Sequence, residues 1–137
     1  MHKQIKYQVF VLLLSFSLCA QNQYYLSSST GNDNNNGSQT QPWKTLSKLS
    51  NTTLGPGDKV YFKKGDTFRG HYVVNGSGTE GNPITFTTYG SGNQPILSGS
   101  DHDDGGGDYR EAILVTNHDN MVFDDLEIQN HRTISRN

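Results

Sequence analysis

An intrachain disulfide is excluded at once, because the 137-residue chain has a single cysteine, Cys19. The fold must therefore be held by packing and hydrogen bonding. Charge is scarce too. Asp, Glu, Lys and Arg make up 18% of the residues, 11 basic against 13 acidic, for a formal net charge of −2. That balance offers no basic face, so neither nucleic acid nor an anionic membrane is expected as a partner. Apolar residues reach only 31%. The continuous apolar run at residues 9–14, extended by Phe16 and Leu18, is too short to span a bilayer permanently. Reactive signatures are missing as well. No nucleophile motif, phosphate loop or dinucleotide fingerprint occurs, and Gly105-Gly106-Gly107 is not followed by a Lys-Ser or Lys-Thr pair.

What is present begins with a targeting pattern. Lys3 and Lys6 precede the apolar run, and small residues follow at Cys19-Ala20, ahead of polar Gln21-Asn22-Gln23. The order reads as a secretory signal peptide over residues 1–20, which places the mature protein outside the cell, at its surface or in a periplasm. Lipidation at Cys19 is the alternative, and Phe16 and Leu18 fit it poorly. About 115 residues then remain, enough for one small domain. Their polarity comes from Asn, Ser, Thr, Gly and Gln rather than from charge. Seven Tyr, six Phe and one Trp argue against disorder. This composition fits a secreted all-β protein with many turns.

One helix is expected over residues 41–49, where Trp43, Leu46 and Leu49 recur at helical spacing and Pro42 can sit in a first turn. Short strands flank it, at residues 24–28, 59–62, 70–74, 84–89, 95–98, 112–116, 121–123 and 126–128. Val60, Phe62, Ile84, Phe86, Ile113 and Val115 alternate as inward positions, with Thr85, Thr87 and Glu127 outward. Strands start near Val60, Ile84 and Ile113, 24 and 29 residues apart. A second series near Tyr72, Ile96 and Val122 repeats after 24 and 26 residues. Two series of similar period suggest rungs of a coil, none of which buries its apolar face alone. A β-sandwich is the other architecture with this many short strands.

Specific stretches carry a resemblance. Tyr24-Tyr25-Leu26 runs into Gly31-Asn32-Asp33, and Pro42-Trp43-Lys44-Thr45-Leu46 follows. Pro56-Gly57-Asp58-Lys59-Val60-Tyr61-Phe62 leads to Gly65-Asp66-Thr67-Phe68, and Gly81-Asn82-Pro83-Ile84-Thr85-Phe86 comes next. Tyr89-Gly90-Ser91-Gly92, Pro95-Ile96-Leu97 and residues 120–130 complete the set. These resemble the N-terminal region of secreted bacterial right-handed parallel β-helix proteins of the pectate-lyase-like superfamily. The resemblance implies an all-β right-handed parallel β-helix, first rungs only, with an N-terminal capping helix. It divides the chain into a signal at 1–20, a cap at 21–57 and rungs at 58–137. It also implies that the chain is truncated, with catalytic rungs lying beyond it, or else that something other than a further rung covers its end. Lyases, hydrolases and non-catalytic members share this region. A polysaccharide, an acidic one, is therefore the expected partner. The expected function is that of a polysaccharide lyase or glycoside hydrolase, or of a carbohydrate-binding surface module.

Candidate chemistry is sparse. Asp101, Asp103, Asp104 and Asp108 sit on a Gly-rich loop and could supply oxygen ligands to Ca²⁺, or simply keep a turn solvated. The resemblance gives such an ion a role, since related lyases use Ca²⁺ to hold a uronate carboxylate. The stretch Asn32-Asp33-Asn34-Asn35-Asn36-Gly37 reads as an Asx-rich turn, because Trp43 stands where a calcium loop needs its bidentate Glu. His71, His102, His118 and His131 lack zinc spacing. Asp124 and Asp125, adjacent on a strand, would point to opposite faces. Arg110, Arg132, Lys63 and Lys64 could meet an acidic sugar, and Tyr24, Tyr25, Tyr72 and Tyr109 could stack on one.

Overall fold

The computed structural model describes residues 20–99 and 109–130. Its elements are β1 (Gln23–Leu26), α1 (Leu46–Ser50), β2 (Lys59–Lys63), β3 (Thr67–Arg69), β4 (Tyr72–Val73), β5 (Ile84–Tyr89), β6 (Ile96–Ser98), β7 (Ile113–Leu114), β8 (Met121–Phe123) and β9 (Glu127–Gln129). They form three sheets in the orders β1-β2-β5-β8, β3-β6-β9 and β4-β7. Every named strand pair is parallel. Successive turns of chain thus stack corresponding strands, which is a parallel β-helix; the sandwich alternative needs antiparallel partners and falls away.

The stacking order differs from the one that strand spacing suggests. Ile113 pairs with Tyr72, not beneath Ile84. Val122 pairs with Thr85, and Ile96 with Thr67. Equal spacing misleads because the rungs are unequal. Val60 and Phe86 are partners 26 positions apart, whereas Tyr72 and Ile113 are partners across 41. The long connection between β6 and β7 accounts for the difference. Strand β3 was not expected at all, since Thr67-Phe68-Arg69 directly follows the Gly65-Asp66 turn.

In-register stacking puts like side chains in columns. Phe68, Leu97 and Ile128 form one, and Val60, Phe86 and Phe123 another. Leu26, Val60, Phe62, Phe68, Ile84, Phe86 and Leu97 are all fully buried. Each such side chain contributes roughly 1.5–3 kcal/mol of transfer free energy. The alternation expected of Val60, Phe62, Ile84 and Phe86 therefore holds. Thr85 and Thr87 lie on the outer face as expected, half-covered by their neighbours, whereas Val115 is exposed, because β7 ends at Leu114.

The helix is shorter than its apolar spacing suggests. It begins at Leu46, after Thr45, whose Oγ1 caps it by accepting from Lys48 N at 3.1 Å. Trp43 lies outside it, in extended backbone. Its N–H donates to Tyr25 O at 2.9 Å, and its carbonyl accepts from Ser27 N at 2.8 Å. Gly37 O accepts from Tyr25 N at 2.8 Å. A helical Trp43 would leave those edge groups of β1 unpaired, and the open edge of a sheet needs cover. The extended segment supplies that cover. Trp43 is buried and stacks on Tyr24 at 4.9 Å, while its indole N–H donates to Asn35 O at 2.8 Å. Leu46 and Leu49 reach the core as their spacing implies, with α1 packed against β4.

Candidate functional site

Four carboxylates among the described residues, Asp33, Asp58, Asp66 and Asp125, are spent on structure. Asp33 accepts from Lys44 N at 2.9 Å, Thr45 N at 3.0 Å and Thr45 Oγ1 at 2.7 Å. Burial alone would raise its carboxyl, but these bonds and the Lys48 charge hold it below the usual carboxylate range. Asn34 N donates to Asn32 Oδ1, and Ser38 N to Asn36 Oδ1, so the Asn-rich stretch is indeed a series of Asx turns. Asp58 accepts from Asn22 N and Gly55 N, both at 2.8 Å. Asp66, buried in the turn after β2, accepts from Ser27 Oγ at 2.8 Å and Ser29 Oγ at 2.8 Å. Burial pushes its pKa up, and the bonds from Ser29 and Ser27 more than offset this, leaving it lowered.

Asp124 and Asp125 do not form a pair for chemistry. Asp125 takes a left-handed φ of 58° in the turn between β8 and β9. It bonds Lys64 Nζ at 2.8 Å, Gln94 Nε2 at 2.8 Å and Thr88 Oγ1 at 3.0 Å, tying three rungs together along one corner. The Lys64 bond, with those of Gln94 and Thr88, holds its pKa down at about 2. Lys64 is thereby committed as well. His118 joins Ser77 Oγ through Nδ1 at 3.1 Å, while Gly76 N approaches its Nε2 at 3.5 Å. Asp119 N also donates to Ser77 Oγ at 3.4 Å. Ser77 Oγ thus accepts from Asp119 N and pairs with His118, linking two loops.

The expected aromatic contacts divide. Tyr72 is fully buried, and burial raises its hydroxyl pKa. Tyr25 stacks on Tyr61 at 4.6 Å and meets the edge of Tyr89 at 5.1 Å, so its ring is used within the sheet. Tyr109 alone of the four keeps a large exposed surface, 41%. It stacks on His71 with centroids 5.0 Å apart and planes 12° from parallel. Both line a cleft of about 410 Å³ between α1 and the β3–β4 corner, with Leu46, Asn51, Arg69 and Val73. Sequence reasoning named His71 and Tyr109 separately. What joins them is the stacking of β7 on β4, which no local spacing reveals.

Asp101, Asp103, Asp104 and Asp108, together with His102, His131 and Arg132, lie outside the described residues. Among the described residues, no group of three His, Cys, Asp or Glu side chains is arranged to hold a metal ion.

No protein-family model matches the chain. A lacto-N-biosidase from Bifidobacterium longum subsp. longum is 37% identical over 82 residues, 55% of this chain but 5% of that protein. The crystal structure of a GH136 lacto-N-biosidase from Eubacterium ramulus superposes with a TM-score of 0.70 and 28% identity, covering 85% of this chain and 22% of that one. A rhamnogalacturonan lyase shares the fold, with a TM-score of 0.56 and 22% identity over 78% of this chain and 28% of that one. The chain thus spans a small part of each relative. Its β-helix is of a kind found in enzymes that act on glycans.

Proposed function

We propose that the chain is the N-terminal part of a secreted β-helix protein that processes oligosaccharide or polysaccharide, with its catalytic rungs following residue 137. The observation that carries this reading is the likeness to the Eubacterium ramulus lacto-N-biosidase, which extends over 85% of the chain at 28% identity. The lacto-N-biosidase likenesses favour glycoside hydrolysis over elimination, since the lyase likeness reaches only to the fold. Hydrolysis of a glycosidic bond uses two carboxyl groups facing one bond. Asp33, Asp58, Asp66 and Asp125 are each held by structural bonds and are poorly suited to that role, and the likeness to longer enzymes leads us to expect the pair from later rungs.

A second reading, a non-catalytic carbohydrate-binding module, draws on the same commitment of carboxylates. The test is to express the complete open reading frame and incubate it with lacto-N-biose-terminated oligosaccharides and with rhamnogalacturonan. The proposal expects new reducing ends without ultraviolet-absorbing unsaturated products. Binding without turnover would favour the module, and unsaturated products would favour a lyase. A stop codon directly after Asn137 would remove the catalytic reading.

A further inference from the structure

We propose that the cleft between α1 and the β3–β4 corner binds one pyranose ring of a neutral glycan, with the stacked His71–Tyr109 pair as its platform. The inference rests on the glycan-processing reading for its ligand class and adds a site that lies away from the outer face of the long sheet.

A pyranose has two kinds of surface. Its axial C–H groups make an apolar face, and its hydroxyls make a polar rim. The cleft has the complement of both. Val73 supplies aliphatic surface, and Tyr109 supplies an aromatic ring, while Leu46 lies buried beneath the cleft. Val73 is 40% exposed and Tyr109 41%, so apolar surface stands in water here that a sugar face would cover. His71 covers one face of the Tyr109 ring and fixes its orientation. A preset ring costs little ordering entropy when a ligand stacks on it.

The polar rim is equally defined. His71 Nδ1 lies 2.9 Å from Glu111 O. A carbonyl can only accept, so Nδ1 carries the hydrogen and Nε2 of the neutral ring presents a lone pair. That atom can accept from a sugar hydroxyl. Asn51 donates one amide hydrogen to Ser47 O at 3.0 Å, which leaves its amide oxygen and second hydrogen for a ligand. Ser50 plays a different part. Its Oγ donates to Leu46 O and accepts from Val73 N, both at 3.0 Å, and so pins α1 to β4 and sets the width of the cleft. Among the described residues no carboxylate lines the cleft, and Arg69, the one formally charged side chain of the lining, is already engaged in an interaction of its own. The volume of about 410 Å³ lies within the range of small-ligand sites.

The experiment is a titration of the 137-residue chain with lacto-N-biose, followed by Tyr and His NMR signals, with digalacturonate as the charged comparison. The expected result is saturable millimolar binding of the neutral disaccharide that shifts Tyr109 and His71. Tyr109→Ala should weaken it about tenfold or more. Tyr61→Ala, on the outer face of the long sheet, should leave it unchanged. Because Tyr109 is exposed, its loss should not unfold the chain, and circular dichroism of the variant checks this. Absence of saturable shifts, shifts with digalacturonate alone, or equal loss in Tyr61→Ala would overturn the proposal. Should the complete protein cleave glycans while Tyr109→Ala leaves cleavage and binding untouched, the site fails and the functional reading stands. If the complete protein neither binds nor cleaves any glycan, both fail.

Discussion

Phe123 lies flat on Phe86, with ring centroids 4.6 Å apart and planes 7° from parallel, yet Phe123 is 38% exposed where Phe86 is fully buried. The two occupy one column of the coil. One ring has a neighbour on both sides, Val60 and Phe123; the other has one partner among the described residues. Ile128, in the column of Phe68 and Leu97, is 53% exposed for the same reason. Core side chains of the last described rung thus form an apolar face, next to strand edges on which no further strand lies among the described residues. We predict that the 137-residue chain self-associates, and that replacing both Phe123 and Ile128 by Ser weakens this association by roughly tenfold or more, given about 1.5–3 kcal/mol per apolar side chain buried. Analytical ultracentrifugation across a concentration series measures it.

Asp66 joins β1, the following loop and the β2–β3 turn. Its folded pKa is lowered, so its contribution is present above the unfolded value and is lost as pH falls through the folded one. Asp66→Asn should cost about 1–3 kcal/mol at pH 7, the usual range for a charged hydrogen-bond partner lost from a buried site. The difference between variant and parent should shrink as the pH falls through the lowered folded pKa, below the ordinary carboxylate range. Urea melts at pH 7 and in that acid range decide the matter, and a constant difference would show that the carboxylate charge is not what matters.

Gly76 has φ +125°, and a β-carbon built on it would stand 2.0 Å from the carbonyl oxygen of Leu54. Backbone cannot swing aside as a side chain can. Gly76→Ala should therefore lose at least roughly 1–3 kcal/mol from strained backbone, with the clash adding to it. Gly65, also at positive φ but with nothing near its built β-carbon, is the control expected to lose less. Thermal melts of the two variants provide the comparison.

Tyr72 offers a test of opposite sign. Its ring is fully buried against Phe86, and its hydroxyl finds no hydrogen-bond partner among the described residues. Removing a buried, unpaired hydroxyl relieves its desolvation cost. Tyr72→Phe should leave stability unchanged or raise it by about 1 kcal/mol. A loss of that size in chemical denaturation would mean that the hydroxyl has a partner.

The fold was legible where short-range chemistry writes it. Alternating Val60-Phe62 and Ile84-Phe86, Gly-rich corners and a two-series repeat pointed to a coil, and the parallel sheets agree. What spacing could not reveal was partner choice. The unequal lengths of the rungs hid the pairing of Tyr72 with Ile113 and of Thr85 with Val122. The helix was misjudged because Trp43 has helical spacing to Leu46 and Leu49, while the edge of β1 captures its backbone. The cleft was illegible for a related reason. His71 and Tyr109 are 38 positions apart and meet only through rung stacking, so each looked like an ordinary surface residue.

The central claim is that these rungs begin a longer glycan-processing coil, and amide hydrogen exchange at β8 and β9 tests it most directly. The complete gene product and the 137-residue chain would be compared at Met121–Phe123 and Glu127–Gln129. The account predicts that these amides exchange at least about tenfold more slowly in the complete protein, because a further rung pairs with them. Equal exchange in the two, or an open reading frame with nothing to add after Asn137, would contradict it.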